Sequence, residues 1–411
     1  MPPSPAHAAT DWGIVAIFAV VYLGMFLGGL PRLRLDRAGV ALLGAIAVIG
    51  IGAVDTAAAA RAVDLPTILL LFSFMVVSAQ MRLGGFYTAV TRGVAELPLA
   101  PANLLGALLA VAAALSAVFS NDIVCLAMTP VVARICLQRG LPPLPFLVGL
   151  ACAANIGSAA TLIGNPQNML IGSVLRLDFA AYAARALPPV LLSLVALWAF
   201  LAWRLRRAPA VPPAPTLPSD DAPLFDRWQT AKGLAVATAL LLVFLFTSWP
   251  REVAALVAAG FLLLSRRFHS SHVLGFVDWE LLVLFIGLFA VNHAFETTGL
   301  AAQAVGWLAT QGVPLAEPGP LFVAGLALSN LVSNVPAVML LMPHLHGPES
   351  ATQLALVSTF AGNLLLVGSI ANLIVVDLAK KSGIEIGWRA HAAIGVPVTL
   401  ATLAICAFWL A

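Results

Sequence analysis

The 411-residue chain predicts an all-α polytopic membrane protein made of two inverted repeats of five transmembrane helices, each with a re-entrant hairpin and an interrupted helix. Three observations lead there. Hydrophobic residues make up 61% of the chain and charged residues 9%, with a mean hydropathy of +1.00, a balance that no water-soluble globular domain shows. Apolar stretches of about 17–25 residues, the length that crosses a bilayer, recur from end to end. Polar clusters interrupt some of these stretches, and they recur at matching spacing in the two halves.

The first apolar run follows a Pro- and Ala-rich leader without Lys or Arg, so it lacks the basic n-region of a signal peptide and reads as a retained helix. Ten spans follow from hydropathy and loop signals, at about 12–30, 39–54, 65–82, 146–177, 187–203, 232–249, 253–264, 279–294, 354–380 and 392–409. Those at 146–177 and 354–380 are interrupted. Two further stretches, about 102–135 and 319–342, are too long for one span and are broken by polar residues at their centres. They read as re-entrant hairpins.

With both termini outside, most Arg and Lys fall on one side: Arg32, Arg34, Arg37, Arg82, Arg92, Arg134, Arg139, Arg204, Arg206, Arg207, Arg227, Lys232, Arg266, Arg267, Lys380, Lys381 and Arg389. Only Arg61, Arg176, Arg185 and Arg251 fall opposite. This is the positive-inside pattern expected of a multi-pass protein of the plasma (inner) membrane, and reading either hairpin as a single crossing would scatter it. The net charge of +3 records these loops and says little about a ligand. Cys125, Cys136, Cys152 and Cys406 lie in apolar sequence as small buried hydrophobes, with no disulfide framework.

A Pro-rich polar segment divides the chain into a first repeat (1–207), a cytoplasmic linker (208–228) and a second repeat (229–411). The halves echo each other. Val63-Asp64-Leu65 is matched by Val277-Asp278-Trp279, and Gly85 by Gly299. Ser116 with Ser120-Asn121 and Pro130 is matched at identical spacing by Ser329 with Ser333-Asn334 and Pro343. The segment from Leu162 through Gly164-Asn165 to Asn168 corresponds to Leu366 through Gly368-Ser369 to Asn372. Each half has an odd number of crossings, so the second sits upside down, and inverted repeats with broken helices are an architecture of transporters.

Non-helical backbone at membrane depth survives only where protein or a water-filled cavity covers it. Four such places are expected: the tips at Ser120-Asn121-Asp122 and Ser333-Asn334-Val335-Pro336, and the breaks around Gly157–Asn168 and Gly362–Asn372. At a break the free N–H groups favour an anion and the free carbonyls a cation. The expected substrate- and ion-binding set is therefore Ser120, Asn121, Asp122, Gly164, Asn165, Asn168, Ser333, Asn334, Gly368, Ser369 and Asn372, with Na⁺ held by Asn121, Asp122 and Asn334.

Each residue also has a plainer role. Asp122 either binds Na⁺ or a proton, or caps the second arm of its hairpin. The Ser-Asn and Asn pairs also suit interhelical hydrogen bonding. Cys125 reads as core packing, and His344 with His346 has no third metal ligand nearby. Asp64 and Asp278 read as interfacial, and Asp377 and Glu280 stay outside the core site. No metal-ligand or His/Asp/Ser constellation points to an enzyme, and no Gly-rich nucleotide loop points to a self-powered pump. No cofactor is expected beyond Na⁺ or H⁺ as coupling ion, and no nucleic acid partner.

The tip pairs, the repeat order and the segments Asn155-Ile156-Gly157-Ser158-Ala159-Ala160-Thr161-Leu162-Ile163-Gly164-Asn165-Pro166-Gln167-Asn168 and Gly362-Asn363-Leu364-Leu365-Leu366-Val367-Gly368-Ser369-Ile370-Ala371-Asn372 resemble the ion transporter superfamily. That group includes divalent anion:sodium symporters, arsenite and silicon efflux permeases and one class of Na⁺/H⁺ antiporters. Its sodium-coupled symporters have Ser-Asn-Thr tips. Here the third positions are Asp122 and Val335, which is closer to the arsenite-permease-like branch. The resemblance implies site residues Asn121, Asn334, Asn168 and Asn372, a transport unit moving against a scaffold, and often a homodimer. The expectation is secondary transport of a small inorganic or organic anion or metalloid oxyacid coupled to H⁺ or Na⁺, with Na⁺/H⁺ antiport and a channel as alternatives.

Overall fold

The computed structural model describes residues 5–30, 33–207 and 225–410, so most of the expected linker lies outside the described residues. The first half contains α1 (Pro5–Leu27), α2 (Arg37–Gly50), α3 (Thr56–Ala62), α4 (Leu65–Leu83), α5 (Phe86–Glu96), α6 (Pro101–Val118), α7 (Asn121–Arg139), α8 (Pro143–Ser158), α9 (Pro166–Val174) and α10 (Phe179–Leu205). The second contains α11 (Arg227–Phe246), α12 (Arg251–Leu263), α13 (Ser270–Leu274), α14 (Trp279–Thr297), α15 (Leu300–Thr310), α16 (Pro318–Val332), α17 (Asn334–Leu341), α18 (Gly347–Ala361), α19 (Ile370–Lys381) and α20 (Trp388–Leu410). Among the described residues there is no strand, and the helices follow in corresponding order in both halves, except that the second hairpin arm is long in α7 (19 residues) and short in α17 (8 residues).

Local sequence explains the match. Asp64 and Asp278 cap α4 and α14 by accepting from the Thr67 and Leu281 backbone N–H groups at 2.8 and 2.9 Å. Gly85 and Gly299 then turn the chain into α5 and α15 at φ of 70° and 69°, a left-handed conformation that glycine adopts without steric cost.

Among the described residues, seven helices are long and apolar enough to cross a membrane, and they include both arms of the first hairpin. Those arms, α6 and α7, have 18 and 19 residues and run a few residues beyond the expected 102–135. The expected spans at 39–54 and 253–264 are helices of only 14 and 13 residues, roughly 20 Å at 1.5 Å per residue. Each is sheltered by a longer helix from the other half, α2 by α14 and α12 by α4. Close approach there depends on small residues: a Cβ on Gly287 would stand 2.6 Å from the Ala41 carbonyl carbon.

The halves are also opposed in direction. Arg204, at the end of α10, donates to the Ala393 carbonyl near the start of α20, while Trp409, at the end of α20, donates to the Arg185 carbonyl near the start of α10. These equivalent helices are therefore antiparallel. The base of the first hairpin, Leu137 and Pro142 to Pro145, shares a cavity with Arg204 and Arg207 at one end of α10. The base of the second, Ala316, Pro318 and His346, clusters with Arg185 and Trp409 at the other. The bases of the two hairpins thus lie at opposite ends of α10.

Candidate functional site: a polar seam between the repeats

Each hairpin tip rests on the break of the following helix. At the first, the Asn121 backbone N–H donates to the Gly164 carbonyl at 3.3 Å, and the Thr161 hydroxyl donates to the Ala117 carbonyl at 2.5 Å. The fit leaves no room for a side chain: a Cβ on Gly164 would lie 2.2 Å from the Ser158 carbonyl oxygen and 2.7 Å from that of Ser116. At the second, a Cβ on Gly368 would lie 3.0 Å from the Gly362 carbonyl oxygen and 3.4 Å from Asn330 Oδ1, while one on Gly362 would lie 3.1 Å from Asn334 Nδ2. The second junction is built from the same parts, more loosely.

The two breaks are braced alike. Asn168 Nδ2 donates to the Thr161 carbonyl and Asn372 Nδ2 to the Leu365 carbonyl, at 3.0 and 3.1 Å, so each asparagine folds its own break back on itself. Behind them, Tyr182 of α10 donates to the Ala159 carbonyl at 2.9 Å, and a ring nitrogen of His391 in α20 stands 3.2 Å from the Asn363 carbonyl oxygen. Asn165 and Ser369 occupy the N-cap positions of α9 and α19.

The halves join through Asn155, which is 2% exposed. Its Oδ1 accepts from Asn121 Nδ2 and from the Ser369 hydroxyl, each at 3.0 Å. Its Nδ2 donates to Asn363 Oδ1 at 2.8 Å and to Asn372 Oδ1 at 3.4 Å. From the other side, Thr359 Oγ1 accepts from Asn165 Nδ2 at 3.3 Å and Gln167 Nε2 at 3.2 Å. Neutral amides and hydroxyls build the whole seam, which avoids the cost of burying a charge at that depth.

The seam is not fully satisfied. Among the described residues, Ser116 Oγ and Asn121 Oδ1 in the first half, and their counterparts Ser329 Oγ and Asn334 Oδ1 in the second, are buried without a hydrogen-bond partner, as are Asn168 Oδ1 and Asn330 Oδ1. Leaving such a group unpaired costs about 1–3 kcal/mol, and a partial positive charge or a cation would recover it.

Asp122 does not cap its helix. Ser120 takes the N-cap position of α7, and Asp122 sits in the first turn, half-buried, where the helix dipole favours a negative charge. No hydrogen bond or ion pair reaches its carboxylate among the described residues. Val335, at the matching place in α17, is buried and apolar. Ser333 is unusual in its backbone, with φ 78° and ψ 161°, where its counterpart Ser120 has φ −57° and ψ 126°.

The expected set therefore divides. Asn121, Asn165, Ser369 and Asn372 lie in the inter-repeat seam, Gly164 and Gly368 shape the breaks, and Asn168 braces one of them. Asn334 meets the second break, and Ser120, Ser333 and Asp122 form the tips. Sequence reasoning missed Asn155, Thr359, Asn363, Tyr182 and His391. Asn155 and Thr359 are 204 residues apart, the same offset as Asn168 and Asn372, but they differ in type, so a search for repeated identities passes over them.

Residues 14–361 match the citrate transporter family, CitMHS. The chain belongs to that family. An uncharacterized transporter of Mycobacterium tuberculosis, Rv2685, is 28% identical over 426 residues, covering 95% of this chain and 98% of its own. The silicon efflux transporter LSI3 of Oryza sativa subsp. japonica is 29% identical over 460 residues, covering 94% and 95%. Among solved structures, the YdaH transporter of Alcanivorax borkumensis superposes with a TM-score of 0.59 at 15% identity, over 99% of this chain and 98% of that one. The CitMHS protein is thus a multi-pass membrane transporter, and the resemblance to the ion transporter superfamily holds.

Proposed function

We propose that this transporter is a secondary carrier moving a small anion or metalloid oxyacid by alternating access around the Asn155–Thr359 seam, coupled to Na⁺ or H⁺. The observation carrying this reading is the seam itself, where both tips and both breaks meet and repeat-related oxygens stand without partners. Ser116 with Asn121, and Ser329 with Asn334, have the neutral oxygen chemistry that suits a small monovalent cation at each tip. The cap and brace groups offer neutral donors and acceptors to a solute.

The hydrogen bonds of the seam run between neutral amides and hydroxyls, and Asp122 adds a carboxyl group beside it. This favours a neutral or singly charged oxyacid over a polyanion, although the family is named for citrate and one relative for silicon. The positive-inside pattern supports an inner-membrane protein with both termini outside. Asp122, half-buried and unpaired, supports a second reading, Na⁺/H⁺ exchange through that carboxylate.

The test is radiotracer counterflow in proteoliposomes with arsenite, sulfate, phosphate, succinate, citrate and Na⁺, for the wild type and an Asn121→Ala/Asn334→Ala variant. Saturable counterflow of one oxyacid, lost in the variant, supports the first reading. Na⁺-driven proton movement with no anion present supports the second. Non-saturating flux that never concentrates solute would make the protein a channel and refute both.

A further inference from the structure

The seam relates the repeats symmetrically, but their outer contacts differ. At the end of α9, the Ser173 hydroxyl donates to Asp64 Oδ1 at 2.8 Å, and Arg251 Nη2 donates to the Gly172 carbonyl at 2.9 Å. Asp64 caps α4 and Arg251 opens α12, so these two helices jointly hold the far end of the broken span. Helix α4 also packs along α9. This is a closed clasp.

Repeat symmetry supplies the parts of a second clasp. Arg37 opens α2 as Arg251 opens α12, Asp278 caps α14 as Asp64 caps α4, and both pairs are separated by the same 214 residues. Val376 and Asp377 near the end of α19 correspond to Gly172 and Ser173. Here the parts are apart. Among the described residues, Arg37 Nε is buried without a partner, Asp278 is exposed and bonds only to its own helix, and Asp377 pairs with Lys381 one turn away at 3.0 Å. No packing comparable to that of α4 on α9 joins α14 to α19.

We propose that Asp64, Arg251 and Ser173 on one face, and Arg37, Asp278 and Asp377 on the other, are alternating clasps that close one at a time, the first being closed in this state. Ser173 can donate to Asp64 directly, whereas Asp377 and Asp278 are both acceptors and repel. The second clasp closes only with a cation between the acids, and Arg37, whose Nε lacks a partner among the described residues, is placed at the head of α2 to be that cation. The inference rests on the alternating-access reading and adds to it the residues that hold each end state.

The experiment uses the full chain in proteoliposomes, with cysteine pairs at Asp64→Cys/Ser173→Cys and Asp278→Cys/Asp377→Cys, separately and combined, linked by a short bismaleimide and scored by thiol titration. The first pair is expected to link readily and the second slowly, and in the combined variant the two links are expected never to occur in one molecule. Arg251→Gln, which leaves the seam intact, should raise linking of the second pair several-fold by releasing the first clasp. Both links in the same molecule, or no response of the second pair to Arg251→Gln, would overturn the proposal. Because linking needs no transported solute, exclusive clasps alongside inactive counterflow would fault the substrate assignment alone.

Discussion

Asn155 accepts from Ser369, and Thr359 accepts from Asn165: the same pair of contacts made twice, with each partner displaced by 204 residues. Such reciprocity is what a two-fold relation between repeats produces, residue i meeting j while the equivalent of i meets the equivalent of j. It puts Asn155 at the centre of the candidate site. Asn155→Ala removes an acceptor shared by Asn121 and Ser369 together with a donor to Asn363. At about 1 kcal/mol per neutral hydrogen bond, counterflow should fall by at least about tenfold with membrane insertion retained. Thr359→Val, which removes one acceptor, should cost less. Equal losses would mean that the two positions do not differ in load.

Gly164→Ala forces a methyl group to within 2.2 Å of the Ser158 carbonyl oxygen, whereas Gly368→Ala meets the Gly362 carbonyl oxygen at 3.0 Å. The first substitution should destabilise by about 1–3 kcal/mol, as overpacking of a tight site does, and the second by clearly less. Thermal unfolding of the purified protein in one detergent compares them.

Tyr182→Phe deletes the hydroxyl that joins α10 to the first break and leaves the Ala159 carbonyl and Asn168 Nδ2 each one partner short. A loss of about 1–3 kcal/mol is expected, with slower counterflow. His391→Gln retains a side-chain nitrogen toward the Asn363 carbonyl and should be milder than His391→Leu.

Asp122→Asn keeps the size of the side chain and removes its charge. If the carboxylate carries the coupling proton, a proton gradient should no longer drive uptake, while exchange between equal solute concentrations continues. Imposing the gradient on both proteins in one assay checks this. Unchanged proton-driven uptake would assign the residue to helix electrostatics alone.

Much of this architecture was legible in the sequence because the membrane allows few solutions. Long apolar runs become helices, and a polar tip or a Gly-Asn break inside one is tolerated only in a shielded interior. The tips and breaks announced themselves by repeating: Ser120-Asn121 with Ser333-Asn334, Asn168 with Asn372. What stayed hidden was the contact between repeats. Asn155 and Thr359 are different residues doing equivalent work, and the braces Tyr182 and His391 share only a position. The placement of Asp122 also escaped, since capping and first-turn placement differ by two residues, a distinction set by where the turn ends.

The backbone of Ser333 has an energetic meaning of its own. A serine at φ 78° and ψ 161° occupies a region that few residues other than glycine enter, at a cost of roughly 1–3 kcal/mol. The second arm is therefore a wound spring, while the first, with Ser120 at φ −57°, is at rest. Any rearrangement that lets Ser333 return to ordinary geometry recovers that energy, enough to shift a two-state population by about fivefold to a hundredfold without help from a ligand.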